Sequence, residues 1–544
     1  MQMQANNKRK DSIPVSGPTR RGRVAIAIFG GVAVALIGAV SISLLATASA
    51  AQPGASNRIY WSNFYGGADF LGSISYANLD GSGGHDLNTV GAPMDGPMGM
   101  AIDAAVGRVY WTNFGNNNGG SGIGNGSTID YANLDGSGGG VLPVPTSMVV
   151  GPHGLAIDSA AGKMYWPNFG NNTIAYANID GSDPHILNTN GAIVDGPRSM
   201  ALDLKAGRVY WANYLGNSIS WANLDGSGGG NLVNGTATVE NPEGVALDPT
   251  SGRLFFGDFL DPPNGDPIRI AYVNTDASGG ADVDTAPVAP DDPHGVAVDP
   301  ETGRVYWAEV QSEAIAFANL NGGGGGDLST AGTGIHSPVL PGLLKAPAGT
   351  GAPSIQGHPA PSSSLNCTGG NWAPDLAASQ LYRVPQSISF QWTMQGNALG
   401  NATSKSLTAG VVGNYRCLVT ADNTAGSDSQ TSEPYAVFKI GKLTLNTNRG
   451  TARLRVTVPG SGAVTVSGKG IVKEPPVSRA GTSNALGSSA GAHVQKLLIK
   501  PKGKVKRRLD RTGRAKVKVR VTDTPNGGSP DSQTKTVKLR LLGP

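Results

Sequence analysis

Six pairs of adjacent aromatic residues recur between residues 60 and 307 and limit what this chain can fold into. The pairs follow one another at intervals of 50, 55, 45, 45 and 51 residues. A nearly fixed period of this size is typical of a repeat architecture, in which each repeat is one small supersecondary unit. The six pairs are Tyr60-Trp61, Tyr110-Trp111, Tyr165-Trp166, Tyr210-Trp211, Phe255-Phe256 and Tyr306-Trp307.

Two further elements repeat with the pairs. An isoleucine, an aromatic residue and a turn follow each pair, at 74–81, 129–136, 174–181 and 219–226, with weaker copies at 270–277 and 315–322. A short apolar stretch that ends in aspartate precedes pairs two to six, at 99–103, 154–158, 199–203, 244–248 and 295–299. Both elements alternate apolar and polar residues, which is the period of a β-strand. Six units of several short strands predict a six-bladed β-propeller.

The composition agrees with an all-β fold. Glycine supplies 80 of the 544 residues, and charged residues make up only 15%. Glycine is among the poorest helix formers, so a helical bundle is excluded. Two cysteines cannot cross-link a chain of this length, so a disulfide-rich scaffold is excluded as well. We expect the glycines to lie in the turns between strands, where they permit positive φ angles.

The ends of the repeat region predict how the ring closes. The first aromatic pair has no aspartate-ending strand before it, and the last repeat has no aromatic pair after it. The chain therefore begins and ends within one blade. We expect residues 333–345 to pair with the strand near residues 58–62, which would leave no open sheet edge there.

The repeats resemble the YWTD repeats of the low-density-lipoprotein receptor family (class B). The resemblance covers residues 57–345 and implies a six-bladed propeller that serves as a binding or scaffolding module. The repeated aromatic, aspartate and glycine residues are then structural. The chain departs from the family at the fourth position of the motif, where an amide keeps a hydrogen bond but carries no charge. That position holds Asn63, Asn113, Asn168, Asn213, Asp258 and Glu309.

Candidate ligand-binding residues stand where the repeats differ. In related propellers the aspartate-ending strand lines the central channel, and its start opens at one mouth. The variable position at this start holds Met98, His153, Arg198, Glu243 and His294. Of these, His153, Arg198, Glu243 and His294 could bind an anionic or polar ligand, or a metal ion weakly. The alternative is a solvated rim without a ligand. We assign no catalytic residue, metal site or cofactor.

The Asp-Gly-Ser-Gly-Gly turns at Asp80, Asp135 and Asp225 raise the question of calcium. A calcium loop normally alternates several oxygen ligands and ends in a bidentate acid. Each of these turns supplies one carboxylate, so we expect hairpin turns.

A second module follows a stretch rich in proline, glycine and alanine at 338–355, which has the composition of a linker. Cys367, Trp392 and Cys417 are spaced by 25 and 25 residues, and Tyr415 lies two residues before the second cysteine. This pattern is the signature of an immunoglobulin-like β-sandwich. Residues 352–437 resemble bacterial immunoglobulin-like repeats, which implies a structural disulfide between Cys367 and Cys417 rather than a reactive thiol pair.

The composition shifts again at residue 438. Residues 438–544 contain 23 lysines and arginines against four acidic residues, whereas residues 51–437 contain 13 basic and 33 acidic residues. Alternating stretches predict a half-buried antiparallel sheet with a cationic face. The resulting candidates for contact with an anionic polymer are Arg453, Arg455, Lys516, Lys518, Arg520, Lys538 and Arg540.

Such a face suits an anionic cell-wall polymer or a membrane surface, through a summed and salt-sensitive field. Nucleic acid is not expected, because no aromatic stacking pattern accompanies the charge. The alternative is a solvated face that keeps sheet edges from aggregating. The module resembles carboxy-terminal β domains of actinobacterial exported surface proteins.

The amino terminus has the pattern of an export signal. A basic region precedes residues 24–46, which carry no charge, and Ala48-Ser49-Ala50 forms a small-residue cleavage pattern. The alternative is an uncleaved membrane anchor, because this uncharged stretch of 23 residues is long enough to span a bilayer. Either way we expect the rest of the chain outside the cell, where a disulfide persists.

Together these features predict an export signal or anchor at 1–50, a propeller at 51–345, an immunoglobulin-like domain at 346–437 and a basic β domain at 438–544. The predicted function is that of an exported or cell-surface, non-enzymatic binding protein. Its partners would be an extracellular protein or carbohydrate at the propeller and an anionic envelope polymer at the basic domain. The alternative is a propeller enzyme, such as a metal-dependent lactonase-like hydrolase or a lyase, acting at the channel.

Overall fold

A computed structural model describes residues 57–65, 71–115, 126–232, 237–259, 268–328, 330, 335, 338–479 and 491–542. Within these ranges the chain forms 42 strands, one α-helix and two 3-10 helices, at Thr146–Met148 and Ala377–Ser379. The predicted export signal at 1–50, with its apolar stretch 24–46, lies outside them. No helix of the described ranges is long and apolar enough to cross a membrane.

Six antiparallel sheets form the blades of a propeller, so the predicted all-β fold is confirmed. Within blades 2 to 6 the strands follow one another from the central axis outward in chain order. Blade 1 contains β1 Arg58–Asn63, β2 Ser73–Asn78 and β3 His85–Asp86. Blade 2 contains β4 Pro97–Asp103, β5 Arg108–Asn113, β6 Thr128–Asn133 and β7 Gly139–Val141. Blade 3 contains β8 Ala156–Asp158, β9 Lys163–Asn168, β10 Thr173–Asn178 and β11 His185–Ile186.

The remaining blades repeat this pattern. Blade 4 contains β12 Pro197–Asp203, β13 Arg208–Asn213, β14 Ser218–Asn223 and β15 Gly229–Asn231. Blade 5 contains β16 Pro242–Asp248, β17 Arg253–Asp258, β18 Arg269–Asn274 and β19 Gly280–Asp282. Blade 6 contains β20 Pro293–Asp299, β21 Arg304–Glu309, β22 Ala314–Asn319 and β23 Gly326–Asp327. The aspartate-ending element is thus the inner strand, and the aromatic pair lies on the strand next to it.

The aromatic pairs fill the space between blades. The five tryptophans at the second position of the pairs are all fully buried. The glutamate at the fourth motif position of blade 6, Glu309, is buried as well. Apolar side chains of neighbouring blades meet in shared clusters, as when Trp211 of blade 4 packs with Ala156 of blade 3. Burial of large aromatic side chains supplies much of the energy of such cores. These residues are therefore structural, as the repeat pattern predicts.

The ring closes as the sequence predicts. Strand β24 Pro338–Leu344 takes the inner position of blade 1 and pairs antiparallel with β1. Leu344 lies opposite Arg58, and Gly342 lies opposite Tyr60. The strands nearest the two ends of the propeller thus share one sheet, which removes two open edges. The linker-like composition of 338–355 therefore includes an inner strand, because its prolines and glycine can occupy an irregularly paired position.

The fourth motif position ties each blade to the loop that enters it. In blade 2, Asn113 Oδ1 accepts a hydrogen bond from the backbone nitrogen of Asp95 at 3.2 Å, and its Nδ2 donates to Thr128 Oγ1 at 2.9 Å. In blade 5, Asp258 accepts from the nitrogen of Glu240 at 2.7 Å and pairs with Arg269 at 2.8 Å. A carboxylate has no proton to donate, so the blade supplies a cation where other blades supply a hydroxyl.

Residues 349–437 form a β-sandwich whose hallmarks agree with an immunoglobulin-like fold. The disulfide joins β27 and β33, with 6.3 Å between the Cα atoms of Cys367 and Cys417. Trp392 is fully buried beside it, and Tyr415 Oη donates to the carbonyl oxygen of Val411 at 3.0 Å. Its strands are β25 Gly349–Gly351, β26 Ile355–Gly357, β27 Ser364–Cys367, β28 Asn371–Trp372, β30 Ser387–Met394, β31 Asn397–Ala398, β32 Ser406–Thr408, β33 Gly413–Asn423, β34 Gly426–Thr431 and β35 Tyr435–Val437, whereas β29 Leu381–Tyr382 pairs with β24 of the propeller.

Residues 439–540 form two packed antiparallel sheets, with the order β36-β37-β40 and β39-β38-β41-β42. Val and Leu side chains alternate into one core while basic side chains alternate outward, and all seven predicted basic residues are exposed. The α-helix α1 Gly503–Thr512 was not anticipated from the alternating pattern. The strands are β36 Lys439–Asn446, β37 Thr451–Val458, β38 Gly462–Ser467, β39 Val477–Arg479, β40 His493–Ile499, β41 Arg514–Pro525 and β42 Asp531–Arg540.

Replacement of Glu309 should remove a pH-dependent loss of stability. Burial raises the pKa of Glu309 to about 7. Below the pKa that the Glu309 carboxyl has in the unfolded chain, this carboxyl is protonated in both the folded and the unfolded state. As the pH rises from there to about 7, the folded protein keeps a proton that the unfolded chain releases. The folded state is therefore destabilised as pH rises through this window. Glu309→Gln should cancel about 1–3 kcal/mol of this loss in the free energy of unfolding between pH 5 and pH 8.

Urea unfolding at the two pH values measures the effect. Glu313→Gln, at an exposed position of the same blade, is the matched control for the loss of a carboxylate and should change the pH dependence less than Glu309→Gln. The interpretation fails if Glu309→Gln and Glu313→Gln show the same change in stability between pH 5 and pH 8.

Candidate functional site

The four predicted ligand-binding residues converge at one mouth of the propeller channel. Each stands at or just before the start of an inner strand, and the inner strands of successive blades run side by side around the axis. Arg198 of blade 4 forms an ion pair with Glu243 of blade 5. His153 of blade 3 interacts electrostatically with both Arg198 and His294. Residues from four blades therefore share one small site, which we call the rim.

Arg198 is the cationic centre of the rim. Its guanidinium lies 3.6 Å from the ring centroid of Tyr214 and 5.6 Å from that of Phe169. Burial lowers the pKa of Arg198 to about 10, which still leaves the side chain charged at neutral pH. Within the described residues its Nε atom has no hydrogen-bond partner. A buried donor of this kind is available to an acceptor on a ligand.

His153 and His294 differ in their surroundings. His153 is 9% exposed and lies between the rings of Phe114 and Phe169, at centroid distances of 5.2 and 5.1 Å. Burial, together with the charge of Arg198, holds the pKa of His153 well below its usual value, so the imidazole is neutral at physiological pH. His294 Nε2 lies 3.2 Å from Asp292 Oδ1. In the rim, the cation Arg198 is therefore paired with the carboxylate of Glu243, and His153 adds a neutral polar group.

A ring of aromatic residues surrounds the rim, and the sequence interpretation missed it. Each member directly follows the fourth motif position, and each is partly exposed. The repeat itself carried this signal, because five of the six positions are aromatic. We call these residues the collar: Phe64, Phe114, Phe169, Tyr214 and Phe259, with Val310 in blade 6. The rim and the collar together form an amphipathic surface at this mouth.

Glycine just inside the rim lets the inner strands touch. A Cβ atom on Gly99 would lie 2.3 Å from the carbonyl oxygen of His153 in the next blade. On Gly244 it would lie 2.6 Å from the Cα atom of Gly295. Blade 4 has Ser199 instead, and its Oγ accepts a hydrogen bond from the nitrogen of Val245 at 3.2 Å. Backbone contact between blades therefore sets the position of the rim residues.

The opposite mouth is occupied by residues 374–383 of the sandwich, which we call the plug. Strand β29 within the plug pairs in parallel with β24, where Leu381 lies opposite Leu343. Ser379 Oγ donates to the carbonyl oxygen of Leu247 at 2.6 Å, and Gln380 Nε2 donates to that of Met200 at 3.1 Å. Both side chains are fully buried. These contacts lie in the middle and at the carboxyl ends of the inner strands, away from the rim.

Charged and aromatic residues fix the plug in place. Arg383 forms an ion pair with Glu301 of blade 6. Lys345 Nζ lies 3.0 Å from Glu301 Oε2 and 2.7 Å from Asp299 Oδ1. Tyr382 is 1% exposed, packs in the propeller core and donates from its hydroxyl to Gln380 Oε1 at 3.0 Å. The sandwich is thus joined to the propeller by a buried interface.

The hydrogen bonds within the Asp-Gly turns agree with their interpretation as hairpin turns rather than calcium sites. Asp80 Oδ1 accepts hydrogen bonds from the backbone nitrogen and the hydroxyl of Ser82, at 2.9 and 2.7 Å. These bonds hold the pKa of Asp80 below its usual value. Among the residues that the structure describes, no group of three or more His, Cys, Asp or Glu side chains is placed to hold a metal ion.

No family model matches the chain, and no curated protein matches it. Solved structures similar to it include a nidogen/laminin complex, with a TM-score of 0.39 and 16% identity over 53% of this chain and 98% of that chain. Hydrazine synthase of Kuenenia stuttgartiensis has a TM-score of 0.35 and 13% identity, over 46% and 71%. A candidate 6-phosphogluconolactonase of Bacteroides uniformis has a TM-score of 0.35 and 16% identity, over 53% and 99%. The class of the chain, an all-β protein with propeller blades, rests on its own strand pairing.

Gly244→Ala should destabilise the propeller, because the added Cβ would collide with backbone atoms of blade 6 that cannot move aside. Overpacking of this kind costs about 1–3 kcal/mol in the free energy of unfolding. Gly410→Ala is the control, since a Cβ there meets nothing within 4 Å. Urea unfolding followed by tryptophan fluorescence checks the difference. Equal stability of the two variants would show that the blades do not touch at this point.

Tyr382→Ala should destabilise the propeller although the residue lies in the sandwich segment. Removal of a buried aromatic side chain costs about 3–5 kcal/mol. Tyr382→Phe keeps the ring and loses only the hydroxyl with its hydrogen bonds, among them the one to Gln380, and should cost about 0.5–1.5 kcal/mol. Amide hydrogen exchange of the inner strands distinguishes destabilisation of the propeller from damage to the sandwich alone. If only sandwich amides lose protection in Tyr382→Ala, the plug does not stabilise the propeller.

Proposed function

We propose that the protein is a non-enzymatic binding protein whose propeller recognises an extracellular protein or carbohydrate through the rim and collar. The observation that carries this proposal is the arrangement of Arg198. It is buried among aromatic rings, paired with Glu243, and keeps an Nε donor without a partner within the described residues. Aromatic rings with a few fixed polar groups are typical of recognition sites.

The connections between strands support recognition at this mouth. The connection that follows the second strand of each blade begins with the collar residue of that blade. In the sequence these segments are longest in blades 1, 2 and 5, at 64–72, 114–127 and 259–268. In the other blades they span only 169–172, 214–217 and 310–313. Variation in length at one type of connection of a repeat protein is typical of a binding face.

The wider organisation follows from the same proposal. Residues 51–345 would form the propeller, residues 346–437 the immunoglobulin-like domain that supplies the plug, and residues 438–544 a basic domain. The disulfide indicates an oxidising compartment. This supports export directed by residues 1–50, with the stretch 24–46 either cleaved off or kept as an anchor. The exposed basic face of the last domain would contact an anionic cell-wall polymer or a membrane surface.

Tyr214→Ala tests the role of the rim. The change removes the ring on which Arg198 lies and opens the collar, so binding at the mouth should fall at least about tenfold, as for a central aromatic anchor. Phe317→Ala is the matched control, because Arg304 lies over that ring at 4.4 Å in the outer part of blade 6. A panel of defined glycans and purified surface proteins, immobilised and probed with the full chain, gives the measurement. Equal binding by the two variants would show that the ligand does not bind at this mouth.

The enzyme alternative, a metal-dependent hydrolase or lyase at the same channel, requires a bound divalent ion. Metal analysis of the purified full chain separates the two functions. One tightly held ion per chain, lost in Glu243→Gln, would overturn the binding proposal in favour of the enzyme.

A further inference from the structure

A cleft in the basic domain is lined almost entirely by cationic side chains. It lies where α1 meets the exposed face of β41 and β42 and has a volume of about 390 Å³. Its charged lining consists of Arg508, Arg514, Lys516, Lys538 and Arg540. Ala515 and Leu539 complete the lining, and no acidic residue contributes to it. Three separate elements thus bring five positive charges to one cleft.

The register of β41 and β42 places like charges directly opposite each other at the cleft. Arg514 pairs with Arg540, and Lys516 pairs with Lys538. Like charges in directly opposed positions destabilise a strand pair. Further along the same exposed face the pattern changes, because Lys518 lies opposite Thr536 and Arg520 lies opposite Thr534. Opposed cations are therefore confined to the end of the sheet that forms the cleft.

Intramolecular carboxylates do not compensate these charges. Asp510 on α1 pairs with Lys506 at 2.7 Å, and Asp523 at the far end of β41 pairs with Arg479 at 2.5 Å. Within the described residues no carboxylate forms an ion pair with any of the five cations of the cleft. Folding thus concentrates positive charge at the cleft, and a bound external anion would balance this charge.

We propose that this cleft binds a linear chain of phosphate groups. The inference rests on the proposed contact of the basic face with an anionic polymer, and it names the ligand chemistry and the residues. Five cations need several anionic groups, and cations two residues apart on one strand recur about every 6.8 Å, which suits a chain with repeated charges. Guanidinium groups hold phosphate through paired hydrogen bonds, and lysine adds point charge.

The shape of the site favours a chain over a membrane or a nucleic acid. A flat lipid surface would contact the outer ends of the exposed side chains rather than enter a cleft between a helix and a strand pair. No aromatic residue lines the cleft, so bases would have no ring on which to stack. A free polyphosphate and a phosphodiester-linked wall polymer share the required chemistry.

Calorimetry at low salt, which measures the binding of short-chain inorganic polyphosphate to the full chain, tests the proposal. The double variant Lys516→Gln with Lys538→Gln should weaken binding at least about tenfold and reduce its salt dependence, because two phosphate contacts are lost. The control Lys518→Gln with Arg520→Gln removes the same charge from the same face outside the cleft. It should weaken binding less than about threefold, through the long-range field alone. A parallel titration with poly(glycerol phosphate) distinguishes the two sources, and tight binding of either supports the proposal.

Thermal unfolding without ligand gives a second readout that a damaged fold would not mimic. Lys538→Gln relieves an opposed pair and should raise Tm at low ionic strength, whereas Lys518→Gln should not. Polyphosphate should raise the Tm of the unsubstituted chain and not that of the cleft double variant.

Three results would overturn the proposal. Equal weakening by the cleft and control double variants would assign binding to the whole basic face, which leaves the broader function intact. Binding only to vesicles that contain phosphatidylglycerol would assign the face to a membrane. Absence of binding to polyphosphate, poly(glycerol phosphate) and vesicles alike would remove the cleft and the broader polymer contact together.

Discussion

Backbone contact between the inner strands is the constraint on which the rest of the propeller depends. Six strands can meet around one axis only where side chains give way, and Gly99, Gly154 and Gly244 provide that space. Once the strands touch, the residue before each glycine must point into the mouth, so the rim results from the closure. The aromatic pairs then fill the space that opens between blades away from the axis.

The plug closes one mouth of the propeller and joins the propeller to the sandwich. Ser379 and Gln380 satisfy carbonyl oxygens of two inner strands, and Leu381 extends the sheet of the closing blade. Polar groups inside a channel need partners, and here the next segment of the chain supplies them. The propeller and the sandwich are thus coupled through buried contacts. One mouth is committed to this internal contact, so the proposed recognition site is the other mouth, with the rim and the collar.

The sequence allowed the repeat, the ring closure, the disulfide and the rim to be predicted, because each follows from a spacing. Cys367 and Cys417 bracket Trp392, and the variable position after the proline that starts each inner strand locates Arg198 and Glu243. The collar was overlooked although Phe114 and Phe169 occupy equivalent places. The plug could not be predicted, because it depends on contacts between Gln380 and strands about 180 residues earlier, which no local pattern records.

The same distinction explains the basic domain. Alternation predicted which residues are exposed, but the register of β41 against β42 decides which exposed charges oppose each other. A shift by two residues would keep every side chain on its face and would no longer set Lys516 opposite Lys538. In the observed register, Arg514 opposes Arg540 and Lys516 opposes Lys538, at the end of the sheet where α1 adds Arg508. This concentration of charge, at a place where it costs stability, is the physical basis of the proposed anionic ligand.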